Sequence, residues 1–289
     1  MCKNLIIKEI NVKNIISVSK LPTGGFCANP YVGCTHSCKY CYACFMKKFT
    51  NHNENWGEFL DVKSWNKIKN IEKYEGKRLF IGSVTDPYNE YENTYKKTRK
   101  LLEEFKGLDI RLHIATKSDL ILRDLDIIKT FKDVSISFSV NTLDENFKND
   151  MDKAPSINRR LSAMKKIYDE KIRTSCFVAP IFPAITDVFA IIRAVKNSCN
   201  SVWLENLNLR GVDKNIIFDY IKQKYPDLLK IYTEIYNNKN NAYWKTLDEL
   251  IYKYCKKYGL KYVVNEDVFS DFGEFPTVVN FFYHEKIKR

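Results

Sequence analysis

The chain has 289 residues, 45% of them apolar and 14% aromatic, enough to fill the core of one barrel-sized domain or two small ones, so it should fold alone. Its longest apolar runs fall far short of the ~20 residues that a membrane span needs and no secretory leader is evident, so no membrane partner is expected and the location is read as cytoplasmic. A net charge of +12 admits nucleic acid as a partner, but the lysines are scattered through every segment, which disfavours it.

Residues 1–25 mix Ile and Val with Lys and Asn and close on Leu21-Pro22-Thr23-Gly24-Gly25, an N-terminal arm ending in a turn. Phe26 to Val32 read as a first strand running into a cysteine-rich loop, and Tyr42 to Phe49 as a first helix. Leu79-Phe80-Ile81 is a second strand, with a helix from Thr94 to Phe105 behind it. Ile110 to Ala115 forms a third strand, followed by a helix over Asp124 to Phe131. Val134 to Val140 alternates apolar residues with Ser135, Ser137 and Ser139, the period of a strand with one polar face, and a helix over 157–170 follows. Arg173 to Ala179 is a fifth strand stopped by Pro180, and Ser201 to Asn206 a sixth, with a helix over 187–197 between them. Six such units predict an α/β fold of parallel βα type over residues 26–211.

Residues 212–289 change character. Segments 213–236, broken near Pro226, and 243–258 read as helices, followed by a strand at Lys261 to Val264 and a loop through Gly273 and Pro276. Tyr232, Tyr236, Tyr243, Trp244, Tyr252, Tyr254 and Tyr258, interleaved with lysines, are read as a packed helix face covering the open side of a barrel; stacking on bases is the alternative.

The chemistry concentrates in Cys34, Cys38 and Cys41, spaced C-x3-C-x2-C with Tyr40 just before the third. Three thiolates from one short loop can hold three irons of a 4Fe-4S cluster and leave the fourth iron open, whereas a cluster that only carries electrons is normally closed by four cysteines. An open iron invites a chelating small molecule, such as the amino and carboxylate groups of S-adenosylmethionine. Cys44 extends the run and makes a structural zinc site conceivable, although zinc knuckles usually split their ligands into two separated pairs. A disulfide framework is disfavoured by the odd count of nine cysteines and by a chain long enough to fold without staples. Cys27 and Cys44 flank the motif and are read as small hydrophobes.

In a parallel βα barrel the active groups sit at the carboxyl ends of the strands. Ser83, Thr85 and Asp86 follow the second strand, Thr116, Lys117 and Ser118 the third; Ser137 and Ser139 lie on the fourth, Glu205 and Asn206 on the sixth. Asp86 before Pro87 also reads as a plain turn former and Lys117 as a surface lysine, yet polar groups at several strand ends beside a cysteine motif favour one shared mouth.

The cysteine spacing resembles the signature of the radical S-adenosylmethionine (SAM) enzymes. Gly82-Ser83-Val84-Thr85-Asp86-Pro87-Tyr88, Ala115-Thr116-Lys117-Ser118-Asp119-Leu120-Ile121-Leu122-Arg123-Asp124 and Ala179-Pro180-Ile181-Phe182-Pro183 are similar to the spore photoproduct lyase-like branch. Trp203-Leu204-Glu205-Asn206-Leu207-Asn208-Leu209-Arg210-Gly211 and Phe281-Phe282-Tyr283-His284-Glu285 resemble the group called radical SAM mobile pair protein B. The resemblance implies an incomplete (β/α)6 TIM-like barrel and a 5′-deoxyadenosyl radical that takes hydrogen from an undefined substrate. It also implies an electron donor such as flavodoxin or ferredoxin and a companion radical SAM protein. By the same likeness Tyr40 lies beside the cluster and the adenine, and Thr85, Lys117 and Ser139 contact the methionine part of the cofactor, with Ser137 the alternative to Ser139. The chain departs from the branch at Asp150-Met151-Asp152-Lys153, where a Glu-Pro pair is usual, and carries no motif for the lyase's own thymine-dimer chemistry.

Overall fold

A computed structural model describes residues 5–20, 24–209, 212–264 and 277–282. Six strands lie side by side and parallel in chain order: β3 (Phe26–Ala28), β6 (Arg78–Ile81), β7 (Arg111–Thr116), β8 (Asp133–Ser139), β9 (Arg173–Ile181) and β10 (Ser201–Asn206). They form the expected incomplete barrel. Beyond β10 the sheet continues in parallel through β12 (Val278–Phe282) to β11 (Lys261–Val264), and β2 (Ile16–Val18) pairs antiparallel with β3 at the other edge, leaving the sheet unclosed.

Period-2 alternation sorts the strand residues onto two faces. Leu79, Ile81, Leu112, Ile114, Ile136, Phe138, Val178, Val202 and Leu204 are buried on the outer face. They belong to one core with Leu101, Leu102 and Phe105 of the helix Lys97–Phe105, with Ala163, Met164 and Ile167 of Ile157–Asp169, and with Ile191, Ile192 and Val195 of Val188–Val195. Each fully buried Leu, Ile or Phe contributes about 1.5–3 kcal/mol relative to exposure. The inner face is different: register aligns Phe80 with His113 and Ser135, then Ala115 with Ser137, Ser175 and Ser201, then Ser139 with Phe177 and Trp203. His113 is buried there, its Nδ1 2.8 Å from Ser135 Oγ and its Nε2 3.2 Å from Ser137 Oγ. Burial, and then the charge of Arg173, push His113 down to about 3, so the imidazole is neutral.

A second sheet holds the cysteine loop. β5 (Phe59–Ser64) pairs in parallel with β1 (Ile6–Asn11) and antiparallel with β4 (Tyr31–Val32), so the loop leaves on β4 and returns on the neighbouring β5. The expected single strand over Phe26 to Val32 is therefore two strands in two sheets, parted at Asn29-Pro30, and the arm supplies a strand to each sheet. Tyr42–Phe49 is a 3₁₀ helix. The fifth strand runs through Pro180 to Ile181, and the strands over 59–64 and 278–282 are additions to the expected set.

The C-terminal helices fall at Val212–Lys224, Leu229–Tyr236 and Ala242–Tyr258, with the break at Pro226. Tyr232 and Trp244 are buried and Tyr236, Tyr243 and Tyr254 pack against the cores, while Tyr252 and Tyr258 are half exposed; the stripe is mainly a packed face. No helix of the described residues is long and apolar enough to cross a membrane. Of the sequence features singled out above, Leu21-Pro22-Thr23, Arg210-Gly211, Gly273, Pro276 and Tyr283-His284-Glu285 lie outside the described residues.

Candidate active site at the barrel mouth

Gly33 opens the cysteine loop at φ 82°, where a Cβ would stand 2.3 Å from the Phe59 carbonyl oxygen; only glycine fits between the diverging strands. Three tight turns follow, the N–H of Ser37 donating to the Cys34 carbonyl, that of Cys41 to Cys38 and that of Cys44 to Cys41, so the cysteines are presented on successive turns. The far end is fixed by His52, stacked on Phe59 at 3.9 Å and within 2.9 Å of both Asp61 and Glu54.

The three cysteines form one electrostatic group. Burial pushes the Cys34 thiol up to about 12, with the Asp86 charge adding to it, the backbone N–H groups of Asp86 and His36 pulling down, and Cys41 pushing up. Burial also raises Cys38 well above the usual thiol range; Lys117 pulls it down, and Asp152, Cys41 and Cys34 push it up. Thiols held protonated in this way become thiolates when a cationic metal centre binds them. Among the described residues no group of three or more His, Cys, Asp or Glu is arranged to hold a metal ion. A four-iron cluster, by contrast, spreads its cysteines over several irons, and the donor set fits it.

Two buried carboxylates brace the loop. Asp86 accepts from Thr116 Oγ1 at 2.7 Å, from the N–H of Lys117 at 2.7 Å and from that of Tyr88 at 2.9 Å, and stands 3.3 Å from His36 Nδ1. Burial pushes Asp86 up, but His36 and these donors outweigh it and bring the carboxyl down to about 2. Asp152 accepts from the Tyr40 hydroxyl at 3.0 Å and from Arg160 at 2.8 Å, with Lys148 at 3.5 Å. Its carboxyl is also lowered, Arg160, Lys117 and Lys148 overcoming the burial that raises it. The backbone closes the brace: the N–H of Lys39 donates to Met151 O at 2.9 Å and that of Lys153 to His36 O at 2.7 Å. The divergent segment 150–153 is therefore a clasp on the cysteine loop.

The expected cofactor contacts fall around this group. Tyr40 packs edge-on to Phe182 at 5.5 Å and lies beneath Lys117, whose Nζ is 5.9 Å from its ring centroid. Thr85 is 4% exposed and its Oγ1 has no hydrogen-bond partner among the described residues, beside the residue whose N–H reaches Cys34. Ser137 is engaged by His113, whereas Ser139 is half-buried one layer nearer the mouth, its carbonyl accepting from Arg160 at 3.3 Å. Cys27 and Cys44 are half-buried, Cys27 with its sulfur 3.2 Å from Ser17 Oγ. Thr85, Lys117 and Ser139 occupy the carboxyl ends of three successive strands.

Sequence patterns alone miss three participants. His36, Asp152 and Tyr42 carry no pattern of their own. The Tyr42 hydroxyl donates to the Ser83 carbonyl, and burial together with the charges of Cys41, Glu205 and Cys27 raises its phenol, yet 62% of the residue is exposed. Through that bond Tyr42 ties the helix after the cysteine loop to the segment that follows β6.

A family model described as the radical SAM superfamily matches residues 28–189. An uncharacterised protein of Methanocaldococcus jannaschii is 36% identical over 262 residues, covering 89% of this chain and 96% of its own length. An uncharacterised protein of Acidianus two-tailed virus is 28% identical over 249 residues, 76% of this chain and 82% of that one. Among solved structures, spore photoproduct lyase with bound AdoMet and dinucleoside spore photoproduct has a TM-score of 0.56 at 18% identity, covering 77% of this chain and 66% of the lyase, just under two thirds. Streptococcus suis SuiB bound to S-adenosylmethionine gives 0.50 at 14% identity, over 98% of this chain and 48% of that one. At such identities the structural likeness is one of fold.

Proposed function

Since the chain belongs to the radical SAM superfamily and is a radical SAM enzyme, we propose that Cys34, Cys38 and Cys41 hold a 4Fe-4S cluster whose open iron takes S-adenosylmethionine. When bound, the cluster supplies the electron that splits this cofactor into methionine and a 5′-deoxyadenosyl radical, which abstracts hydrogen from the substrate. The observation that carries this is the buried Cys34 and the half-buried Cys38 and Cys41 on successive tight turns, flanked by the Thr85 hydroxyl, which has no hydrogen-bond partner among the described residues, and by the Lys117 ammonium. Lys117 meets the cofactor carboxylate with a charge-assisted bond, Thr85 and Ser139 add hydroxyl contacts, and Tyr40, held by Asp152, walls the pocket. The half-exposed Phe177, Trp203 and Glu205 on the inner face then line the place for substrate.

Likeness at Trp203 to Gly211 and at the terminal aromatic run supports assignment to the mobile pair protein B group, with a flavodoxin or ferredoxin as electron donor, a companion radical SAM protein and a cytoplasmic setting. Within this scheme residues 1–25 are an arm, 26–211 the catalytic partial barrel and 212–289 its cover. Anaerobic reconstitution with iron and sulfide, followed by dithionite and S-adenosylmethionine, is expected to yield 5′-deoxyadenosine. A protein that binds iron stoichiometrically and forms none would be an electron carrier instead.

A further inference from the structure

We propose that Asp86 is a positioning residue that ties the cysteine loop to the strand end carrying Lys117 and holds the reduction potential of the cluster low. The inference rests on the assignment of Cys34, Cys38 and Cys41 as cluster ligands. A plain turn former would bond its own turn, as Asp86 does through the Tyr88 N–H two residues on. Its other bonds are long-range: Thr116 is 30 residues away and Lys117 31, and His36 sits inside the cysteine motif. The side chain is 7% exposed and the backbone N–H of the same residue reaches the Cys34 sulfur. One residue thus touches a cluster ligand, the motif residue between two ligands, and the main chain from which Lys117 projects. Movement of any of the three strains the others.

The electrostatic consequence follows from a contrast with Asp152, which braces the loop beside Cys38. Asp152 is compensated by Arg160 at 2.8 Å and Lys148 at 3.5 Å. Among the described residues Asp86 has no lysine or arginine side chain within ion-pair distance; it faces backbone N–H groups, a hydroxyl and an imidazole. A carboxylate balanced by a single imidazole, which is cationic only when protonated, repels an added electron more than one paired with Arg and Lys, so one-electron reduction of a centre bound at Cys34 is held to lower potential. A low potential is what the reductive cleavage of a sulfonium demands.

The test compares wild type, Asp86→Asn, Asp152→Asn and Thr116→Val, all reconstituted anaerobically. Iron content, the cluster midpoint potential by redox titration and the S-adenosylmethionine dissociation constant by electron paramagnetic resonance are measured. Asp86→Asn is expected to load iron, to shift the midpoint to more positive potential by more than Asp152→Asn does, and to bind the cofactor about tenfold more weakly because the Lys117 end is released. Thr116→Val removes one bond and leaves the charge, so cofactor affinity is expected to fall while the midpoint stays. An Asp86→Asn protein with wild-type midpoint and affinity overturns the inference. If that variant does not load, Thr116→Val binding the cofactor like wild type overturns it. A wild type that takes up no iron refutes instead the assignment of the cysteines.

Discussion

Removing the Lys117 side chain separates the cofactor pocket from the cluster. The ammonium lies 5.9 Å from the Tyr40 ring centroid and within electrostatic reach of Cys38 and Asp152. Lys117→Ala deletes it and leaves the backbone N–H that bonds Asp86 at 2.7 Å. Asp152 keeps Arg160 and Lys148, so the clasp on the loop survives and iron loading is expected at the wild-type level. A hydrogen bond to a charged group contributes about 1.5–3 kcal/mol. Because Lys117 is half-buried, water screens part of the interaction and the lower half of that range applies. Since 1.4 kcal/mol is about tenfold, S-adenosylmethionine binding should weaken by roughly one to one and a half orders of magnitude. Lys117→Arg, which retains the charge, should recover part of it. Titration of the reduced, reconstituted protein with the cofactor, followed by the cluster's paramagnetic resonance signal, reads the affinity directly. Wild-type binding by Lys117→Ala would show that the carboxylate is held elsewhere and that the third strand end does not belong to the pocket.

Replacing Cys34, Cys38 or Cys41 by Ala should abolish cluster assembly, whereas Cys27→Ala and Cys44→Ala should keep iron near the wild-type level; loss of iron in Cys44→Ala would refute the open-site arrangement. Gly33→Ala places a Cβ 2.3 Å from the Phe59 carbonyl at a φ of 82°. It should cost about 1–3 kcal/mol or more, seen as a lower Tm of the apoprotein, and it should impair iron uptake more than the remote Gly107→Ala. Burial and Arg173 lower His113 from its ordinary 6.5 to about 3, so between those values the unfolded chain binds more protons than the folded one. Stability should therefore rise with pH across the window from about 3 to 6.5, by up to a few kcal/mol, and denaturant titrations of His113→Gln should show a flatter profile there.

The alternation of strand and helix is legible because the outward strand residues are regularly apolar, most clearly in β8, where they alternate with the inward Ser135, Ser137 and Ser139. β5 escapes notice because Phe59-Leu-Asp-Val-Lys-Ser mixes charge into a strand buried by packing against the cysteine loop. The split between β3 and β4 falls at Asn29-Pro30, a break inside the expected strand, and shows in the different pairing partners, Leu79 and Val62. The cysteines proposed as ligands are set apart by local spacing alone. Their braces are long-range: the sequence puts Asp86 at a strand end and Asp152 in a divergent segment, but not the partners Thr116, Lys117, Tyr40 and Arg160 that the fold brings to them.

Two of the bonds that close the clasp run from main chain to main chain, Lys39 N to Met151 O and Lys153 N to His36 O. Such bonds are blind to side-chain identity. The grip at positions 39 and 153 is therefore independent of their side chains, whereas the neighbouring Asp152 holds Tyr40 and Arg160 through its carboxylate. What this joint cannot absorb is the loss of a donor. Proline at position 39 or 153 would be disruptive where almost any other replacement is tolerated, so drift there is limited by one missing hydrogen atom and not by size, charge or polarity.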